Sequence, residues 1–246
     1  MTYVMSDLHG QANAFFDILE QIEFSDNDEL YILGDVIDRG PKAIEIYNYI
    51  FSHKNIHLIM GNHEQMMLDF VRLNGGDILE NDAVYHSRNL RFAYIMWMQN
   101  GGNITYEQLL KLTKVKRFKL FEALKKIPYY AKIEINGQKY ILCHGTPVFY
   151  ELQGVENPTI DDMLQALMIA PEYEILWGRD CYPQQVPFNY KVIHGHTPVH
   201  HLWNTNSIKK YSNGDFINID CGCASEKQLA CLRLDDMREF YSDKMI

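Results

Sequence analysis

The chain has 246 residues, a net charge of -9 and a sequence pI near 5.5. Its 47% hydrophobic and 22% charged residues supply a sizeable core and exclude global disorder. An acidic chain has no overall field that attracts nucleic acid or an anionic membrane, so we expect neither as a partner. No apolar stretch approaches the roughly 18 residues of a membrane span, and residues 1–5 are predicted as a strand that leaves no room for a signal peptide, so we expect a cytoplasmic location.

Short apolar runs alternate with helix-like segments over the first 60 residues. Strands are predicted at 3–5, 30–33 and 56–60, with helices at 11–22 and 42–51 between them. This βαβαβ order predicts a largely parallel sheet. Polar residues and glycines follow each strand directly, and sites on open α/β sheets form at these carboxyl ends of strands.

Residues 65–128 differ in character, because helical periodicity is combined with Asn-Gly-Gly breaks. We predict a helical insertion, or cap, within a single domain that spans residues 1–246. Its larger apolar residues are expected to form a core between helices. They are Met66, Met67, Phe92, Met96, Trp97 and Met98.

The remainder of the chain is predicted to be mainly β. Strands at 129–135 and 139–143 flank an Asn136-Gly137 hairpin turn, and a helix is predicted at 161–168. Three further strands, at 190–193, 216–219 and 228–234, predict a second sheet packed on the first.

Five cysteines, an odd number in a chain without a predicted secretory signal, favour reduced thiols. Cys221 and Cys223 are the one close pair. Because no second pair completes a zinc site, we expect both to pack as small apolar residues at a strand end.

The most specific pattern follows the second strand and reads Gly34-Asp35-Val36-Ile37-Asp38-Arg39-Gly40. From average residue usage, its five fixed residues recur by chance in about one chain in 10⁴. A polar turn explains the glycines, but it does not explain two aspartates and an arginine together. The pattern therefore predicts a functional site here.

Shorter groups of polar residues follow other predicted strands. Asp7 and His9 occupy alternate positions of an extended segment, so both can point to one side, although an N-cap and a surface histidine explain them as well. Asn62 offers a neutral oxygen ligand and His63 a titratable ring, and Asn62 can also cap a helix. Two more such groups contain His144-Gly145 and His194-Gly195-His196. For His194 we expect a structural role or a role in supporting a metal ligand.

The order of these motifs resembles the metallophosphoesterase superfamily. More narrowly, it is similar to the bacterial and phage branch of the phosphoprotein phosphatase family, which is related to the symmetrical diadenosine tetraphosphate hydrolases. The motifs span residues 7–197, and the resemblance implies an α/β fold. That fold is a β-sandwich of two mixed sheets flanked by helices in four layers, α/β/β/α, with a helical insertion.

The resemblance also implies roles for individual residues. Asp35 would bridge two divalent metal ions, and the full ligand set would be Asp7, His9, Asp35, Asn62, His144 and His196. His63, paired with Asp38, would protonate the leaving oxygen. Arg39, Arg179 and Asn62 would hold the phosphate. Ligation by His, Asp and Asn without thiolate favours Mn²⁺, Fe or Zn²⁺ over Mg²⁺ or Ca²⁺, and we expect Mn²⁺.

Such a site suits hydrolysis by direct attack of metal-bound hydroxide on phosphorus, without a covalent enzyme intermediate. We therefore expect a serine/threonine, or tyrosine, phosphoprotein phosphatase whose substrate is a phosphorylated protein. The alternative is a symmetrical dinucleoside polyphosphate hydrolase, specifically of diadenosine tetraphosphate, with a nucleotide substrate. A second alternative is a catalytically inactive phosphate-binding module.

Overall fold

Two five-stranded sheets organise the chain. The computed structural model describes residues 1–79, 87–146, 172–179, 190–225 and 227–243. Ten strands lie within these residues: β1 (Thr2–Met5), β2 (Glu29–Ile32), β3 (Ile56–Leu58), β4 (Tyr130–Ile135), β5 (Gln138–Cys143), β6 (Tyr190–His194), β7 (Lys209–Tyr211), β8 (Phe216–Asn218), β9 (Ala230–Arg233) and β10 (Arg238–Tyr241).

The same residues contain eight α-helices. They are α1 (Ala12–Gln21), α2 (Ala43–Ser52), α3 (Asn62–Leu73), α4 (Arg88–Trp97), α5 (Asn103–Leu110), α6 (Lys114–Leu124), α7 (Glu172–Trp177) and α8 (Val199–Leu202). A π-helical turn, Met98–Gly102, joins α4 to α5. Within the part of the chain described, no helix has both the length and the apolar character needed to cross a membrane. The helix predicted at 161–168 lies outside the described residues.

The first sheet has the strand order β10-β9-β1-β2-β3. Its β1, β2 and β3 are parallel, as the βαβαβ pattern predicts. The two late strands run antiparallel, β9 beside β1 and β10 beside β9. The strand predicted at 228–234 therefore forms, but its assignment to the second sheet is wrong. Strand pairing between residues this distant in the chain leaves no local signal in the sequence.

The second sheet has the order β4-β5-β6-β8-β7. Its three central strands are parallel, and β4 and β7 are antiparallel edges. The predicted hairpin joins β4 to β5 through Asn136 and Gly137, whose φ angles are 49° and 79°. Positive φ at both positions is the geometry that an Asn-Gly turn favours, because it matches the twist of the strands.

Alternate residues of β1 show how the layers pack. Tyr3 and Met5 belong to the core shared with α1, where they join Phe15. Val4 points to the opposite face and joins the core between the sheets with residues such as Ile193. On the far side of the second sheet, a third core includes Ile175 of α7. The sheets thus form a sandwich with helices on both outer faces, which confirms the predicted fold class.

Helices α3 to α6 lie in the region predicted to be a helical insertion. Met67 and Trp97 are completely buried there, as predicted for a core between helices. Phe92, in contrast, is 65% exposed, so its assignment to that core is wrong. Phe92 lies on the outward face of α4, which the apolar composition of the segment did not reveal. The boundaries of the insertion and of the single domain stay predictions.

The cysteines of the described residues are packed inside. Cys143, Cys221, Cys223 and Cys231 are buried free thiols. Burial raises the pKa of each well above its usual value, which keeps the thiols protonated. This agrees with the expected packing of Cys221 and Cys223, while Cys181 lies outside the described residues.

Candidate metal and phosphate site

The predicted site residues meet where the carboxyl ends of strands from both sheets converge. Asp7 and His9 follow β1, and the segment from Asp35 to Arg39 follows β2. Asn62 and His63 begin α3, which comes directly after β3. From the second sheet, His144 follows β5 and His196 follows β6. Five separate strand ends therefore supply one cluster, as expected for sites on α/β sheets.

Six residues of this cluster have left-handed backbone conformations. Such conformations cost a non-glycine residue about 1–2 kcal/mol each, and they persist where surrounding structure enforces them. The φ values are 56° for Asp7, 45° for His9, 53° for Asp35, 68° for Asp38, 66° for Arg39 and 67° for His196. Backbone strain of this kind is concentrated at functional sites.

Close backbone packing fixes the first two loops against each other. A Cβ atom at Gly40 would lie 2.1 Å from the carbonyl oxygen of His9, and one at Gly10 would lie 2.5 Å from the carbonyl oxygen of Gly40. His9 N–H also donates to the carbonyl oxygen of Asp35 at 2.8 Å. Glycine at both positions is thus required for the loops to approach as they do.

Asp35 belongs to two groups of potential metal ligands. One group joins it to His9 and His63, the other to His144 and His196, and in each group the ligand atoms lie within 4.8 Å of one another. Asp35 Oδ2 lies 3.7 Å from His9 Nε2 and 3.4 Å from His144 Nε2. Metal–ligand bonds to His and Asp are about 2.0–2.2 Å long, so a cation fits between atoms at these separations.

Asp7 and Asn62 border these groups. Asn62 Oδ1 is 2.8 Å from His144 Nε2. Asp7 Oδ2 accepts hydrogen bonds from the backbone N–H of His196, at 2.9 Å, and from the hydroxyl of Ser6. The structure therefore brings all six predicted ligands together, with His63 beside them.

His196 provides the clearest sign that a ligand is needed. Its Nε2 atom is buried and has no hydrogen-bond partner among the residues that the structure describes. Burial and the neighbouring His144 lower the pKa of His196 to about 2, so its ring is neutral and Nε2 can offer a lone pair. A buried polar atom without a partner is costly, and a neutral imidazole is the form that binds metal. The residues present therefore fit a divalent cation.

His144 carries positive charge where a cation fits. Burial opposes its protonation, but the Asp35 carboxylate prevails and raises the pKa of His144 to about 10. Both ring nitrogens then donate, Nδ1 to the Leu33 carbonyl oxygen at 2.6 Å and Nε2 to Asn62 at 2.8 Å. A metal ion at Nε2 would replace that proton.

His63 and Asp38 form a buried pair, with His63 Nδ1 2.6 Å from Asp38 Oδ2. Burial lowers the pKa of His63, but Asp35 and Asp38 outweigh it, and the result is a raised pKa. Arg39 lies across the opening, with Nη1 3.0 Å from His9 Nε2 and Nη2 3.0 Å from His63 Nε2. A planar guanidinium thus faces the ligand group that His9 and His63 form with Asp35.

Arg179 lies at the exposed rim, after α7. Its Nη1 is 3.4 Å from the hydroxyl of Thr197, the residue after His196. Its positive charge also contributes to the lowered pKa of His196. The structure therefore places Arg179 beside the ligand group that contains His196, and the family resemblance implies a phosphate contact for it.

Sequence reasoning missed the part that Glu64 plays. Its buried carboxylate accepts hydrogen bonds from the backbone N–H groups of Asp35, Val36 and Gly61 at 2.8, 2.9 and 3.2 Å, and from the Tyr47 hydroxyl at 2.9 Å. Glu64 thus ties the loop after β2 to the start of α3. The available signal was a Glu three residues after Gly61 at a helix start, the spacing of a capping box.

His194 is completely buried. Its Nε2 lies 2.8 Å from the Tyr211 hydroxyl. Burial lowers the pKa of His194 to about 4, so the ring is neutral. These contacts agree with the structural role expected for it.

Comparison with known proteins identifies the class to which this fold and site belong. Residues 2–219 match the profile of the calcineurin-like phosphoesterases. The match covers most of the chain, and the chain therefore belongs to this family. It is a metallophosphoesterase, an enzyme that hydrolyses phosphoesters with divalent metal ions.

The individual relatives and solved structures are of two kinds, dinucleoside tetraphosphatases and protein phosphatases. The symmetrical bis(5'-nucleosyl)-tetraphosphatase of Wigglesworthia glossinidia brevipalpis is 24% identical over 278 aligned positions, which cover 95% of this chain and 96% of that protein. A solved structure described provisionally as a diadenosine tetraphosphatase is 13% identical with a TM-score of 0.62, covering 98% of this chain and 91% of the other. The cold-active protein-tyrosine phosphatase of a psychrophilic Shewanella species is 17% identical with a TM-score of 0.53, covering 98% and 80%. Both structures share the fold.

Proposed function

We propose that this chain is a dinuclear metal-dependent phosphatase that acts on phosphoserine, phosphothreonine or phosphotyrosine of proteins. The observation that carries the dinuclear site is the position of Asp35, which is common to two groups of ligand atoms of ion-binding size. The motif resemblance to phosphoprotein phosphatases supports the substrate class. Mn²⁺ is the proposed metal, with Fe and Zn²⁺ as the other candidates for this set of oxygen and nitrogen ligands.

The proposed ligands divide between two ions that share Asp35. Asp7 and His9 would hold the first ion, and the other three residues of the set, Asn62, His144 and His196, would hold the second. When bound, two divalent ions neutralise phosphate charge and activate water for in-line attack at phosphorus.

Arg39 is placed to bind the phosphoryl group. Its two terminal nitrogens, which lie 3.0 Å from His9 Nε2 and from His63 Nε2, can donate to two phosphate oxygens. A guanidinium matches that geometry because its N–H groups form a planar fork. Arg179 would add a second positive charge from the rim, and Asn62 a contact from α3.

His63 is the proposed proton donor to the leaving oxygen. Asp38 holds Nδ1, so Nε2 is the atom that faces Arg39 and the bound phosphate. The raised pKa of His63 favours the protonated ring that a general acid needs. His63→Asn is expected to lower kcat by about 10²- to 10⁴-fold while the metal content stays the same.

A second candidate function, hydrolysis of symmetrical dinucleoside tetraphosphates, is favoured by the bis(5'-nucleosyl)-tetraphosphatase relative, which aligns over nearly the whole of both chains. The same ligands and the same proton donor serve that reaction. The difference lies in the leaving group, which is a nucleotide phosphate rather than a side-chain oxygen.

Substrate assays on Mn²⁺-loaded protein separate these functions. We expect phosphate release from phosphoserine, phosphothreonine or phosphotyrosine peptides, measured beside cleavage of diadenosine tetraphosphate. His63→Asn should lose this activity, and the matched control His201→Asn, at an exposed histidine of α8, should keep it. Exclusive cleavage of the dinucleotide would replace the first function by the second. Inactivity toward every phosphoester would leave a phosphate-binding module.

A further inference from the structure

The Asp38 carboxylate contacts other side chains besides that of His63. It is completely buried. The indole N–H of Trp97 lies 3.1 Å from Oδ1 and 3.2 Å from Oδ2, and the Thr105 hydroxyl donates to Oδ1 at 2.7 Å. The backbone N–H of Asp38 donates in turn to the Thr105 hydroxyl oxygen at 2.8 Å. Trp97 and Thr105 thus both hydrogen-bond to the carboxylate that His63 contacts.

The helical region supplies both donors through one short segment. Trp97 ends α4, Thr105 lies in the first turn of α5, and the π-helical turn between them contains Gly101 with φ 96°. A Cβ atom at Gly102 would lie 2.5 Å from Nε1 of the Trp97 indole. The Asn-Gly-Gly break therefore makes room for the indole and turns the chain so that both donors point at one carboxylate.

These contacts fix which Asp38 oxygen is available to the histidine. Oδ1 accepts from Thr105, Oδ2 lies 2.6 Å from His63 Nδ1, and the Trp97 indole N–H is shared between the two oxygens. A buried carboxylate is tolerated only when its oxygens are hydrogen-bonded, and with these donors in place its plane cannot rotate freely. The orientation of Asp38 in turn sets the orientation of the His63 ring, and thus the direction of Nε2.

We propose that Trp97 and Thr105 are positioning residues for proton delivery: they orient Asp38 so that His63 Nε2 points at the leaving oxygen. This inference rests on the proposed role of His63 as general acid. It assigns to the helical region a role in the reaction, exerted through Asp38 and His63, besides its packing.

Leaving groups of different basicity test the proposal. Phenyl phosphate needs a proton on its leaving oxygen, whereas 2,4-dinitrophenyl phosphate leaves without one. For Thr105→Val and Trp97→Phe we expect kcat on phenyl phosphate to fall about 10-fold, with KM and the rate on 2,4-dinitrophenyl phosphate changed by less than about twofold. Thr105→Ser keeps the hydroxyl and should retain the wild-type rate on both substrates.

A control separates positioning from general loosening of the helices. Phe121→Leu alters a buried residue of α6 in the same core and should leave the ratio of the two rates unchanged. Equal losses on both substrates in Thr105→Val, or the same selective loss in Phe121→Leu, would overturn the proposal. If Trp97→Phe does not fold, the comparison of Thr105→Val with Thr105→Ser decides whether the loss on phenyl phosphate is selective.

A measurement on metal-free protein is independent of activity. The proton between His63 Nδ1 and Asp38 should give a downfield proton NMR resonance, assigned by its loss in His63→Asn. We expect it to move upfield or broaden in Thr105→Val and to stay in place in Thr105→Ser and Phe121→Leu. An unmoved resonance in folded Thr105→Val overturns the proposal, whereas a wild type inactive on all phosphoesters, with the resonance behaving as expected, would overturn the phosphatase function alone.

Discussion

Replacing Glu64 should destabilise the protein strongly, although Glu64 is not a proposed ligand. Its Oε2 accepts two hydrogen bonds, from the backbone of Asp35 and Gly61, and its Oε1 accepts three, from Val36, Ile37 and Tyr47. In Glu64→Gln one oxygen becomes an NH₂ group, so at least two buried donors lose their acceptor. At about 1–3 kcal/mol for each unsatisfied donor, the free energy of unfolding should fall by about 2–6 kcal/mol. Such a loss is a large part of the roughly 5–15 kcal/mol typical of a folded domain.

Urea denaturation of metal-free protein measures this loss through the transition midpoint, provided that the slope with denaturant is unchanged. The matched control is Glu122→Gln, because Glu122 is 41% exposed and pairs with Lys125 on the surface. Surface pairs contribute about 0–1 kcal/mol, so this variant should resemble the wild type. A loss below about 1 kcal/mol in Glu64→Gln would refute the reasoning, since it would mean that the loop after β2 does not depend on that carboxylate.

Three further perturbations test other parts of the structure. Arg39→Lys should lower kcat/KM about 10- to 100-fold in steady-state assays, because an ammonium cannot reproduce a two-nitrogen contact to phosphate; unchanged kinetics would remove Arg39 from phosphate binding. Gly40→Ala places a Cβ atom 2.1 Å from the backbone oxygen of His9, so thermal denaturation should show a loss of about 1–3 kcal/mol together with weaker metal binding. Arg117 binds Asp77 through two nitrogens and lowers the pKa of Asp77 below its ordinary value of 3.8. Because that pKa is lower in the folded state, the stabilisation is present above the unfolded pKa and is lost as pH falls through the folded one. Asp77→Asn should therefore be less stable than wild type at pH 7, with the gap in unfolding free energy narrower at pH 3.

The first half of the fold could be predicted because its signals are local. Each of β1, β2 and β3 is an apolar run followed directly by polar residues and glycine. The periodicity of the apolar residues and the polar residues that follow them suffice to locate each strand. The strands β7 and β10 were not predicted, because Lys209–Tyr211 and Arg238–Tyr241 are short, polar edge strands. Their conformation comes from pairing with β8 and β9, which no local pattern encodes.

The candidate site likewise combines features that the sequence indicates with features that depend on packing between distant residues. The residue types of Asp35, His144 and His196 and their places after strands indicated that they meet, and the structure brings them together. The left-handed backbone of Asp35 could not be predicted, because it arises from packing between loops that are far apart in the chain. Trp97 shows a second limit: apolar periodicity correctly predicted its burial, but periodicity carries no information about the partner of its indole N–H.

The number of metal ions bound by the chain tests most directly whether Asp35 is shared between two of them. After equilibration with Mn²⁺ and removal of free metal, elemental analysis should find two ions for each wild-type chain. Asp35→Asn should lose both ions because Asp35 is shared, whereas the surface control Asp236→Asn, at a side chain that is 50% exposed, should keep them. A single ion in the wild type, or two ions retained in Asp35→Asn, would contradict the shared dinuclear centre.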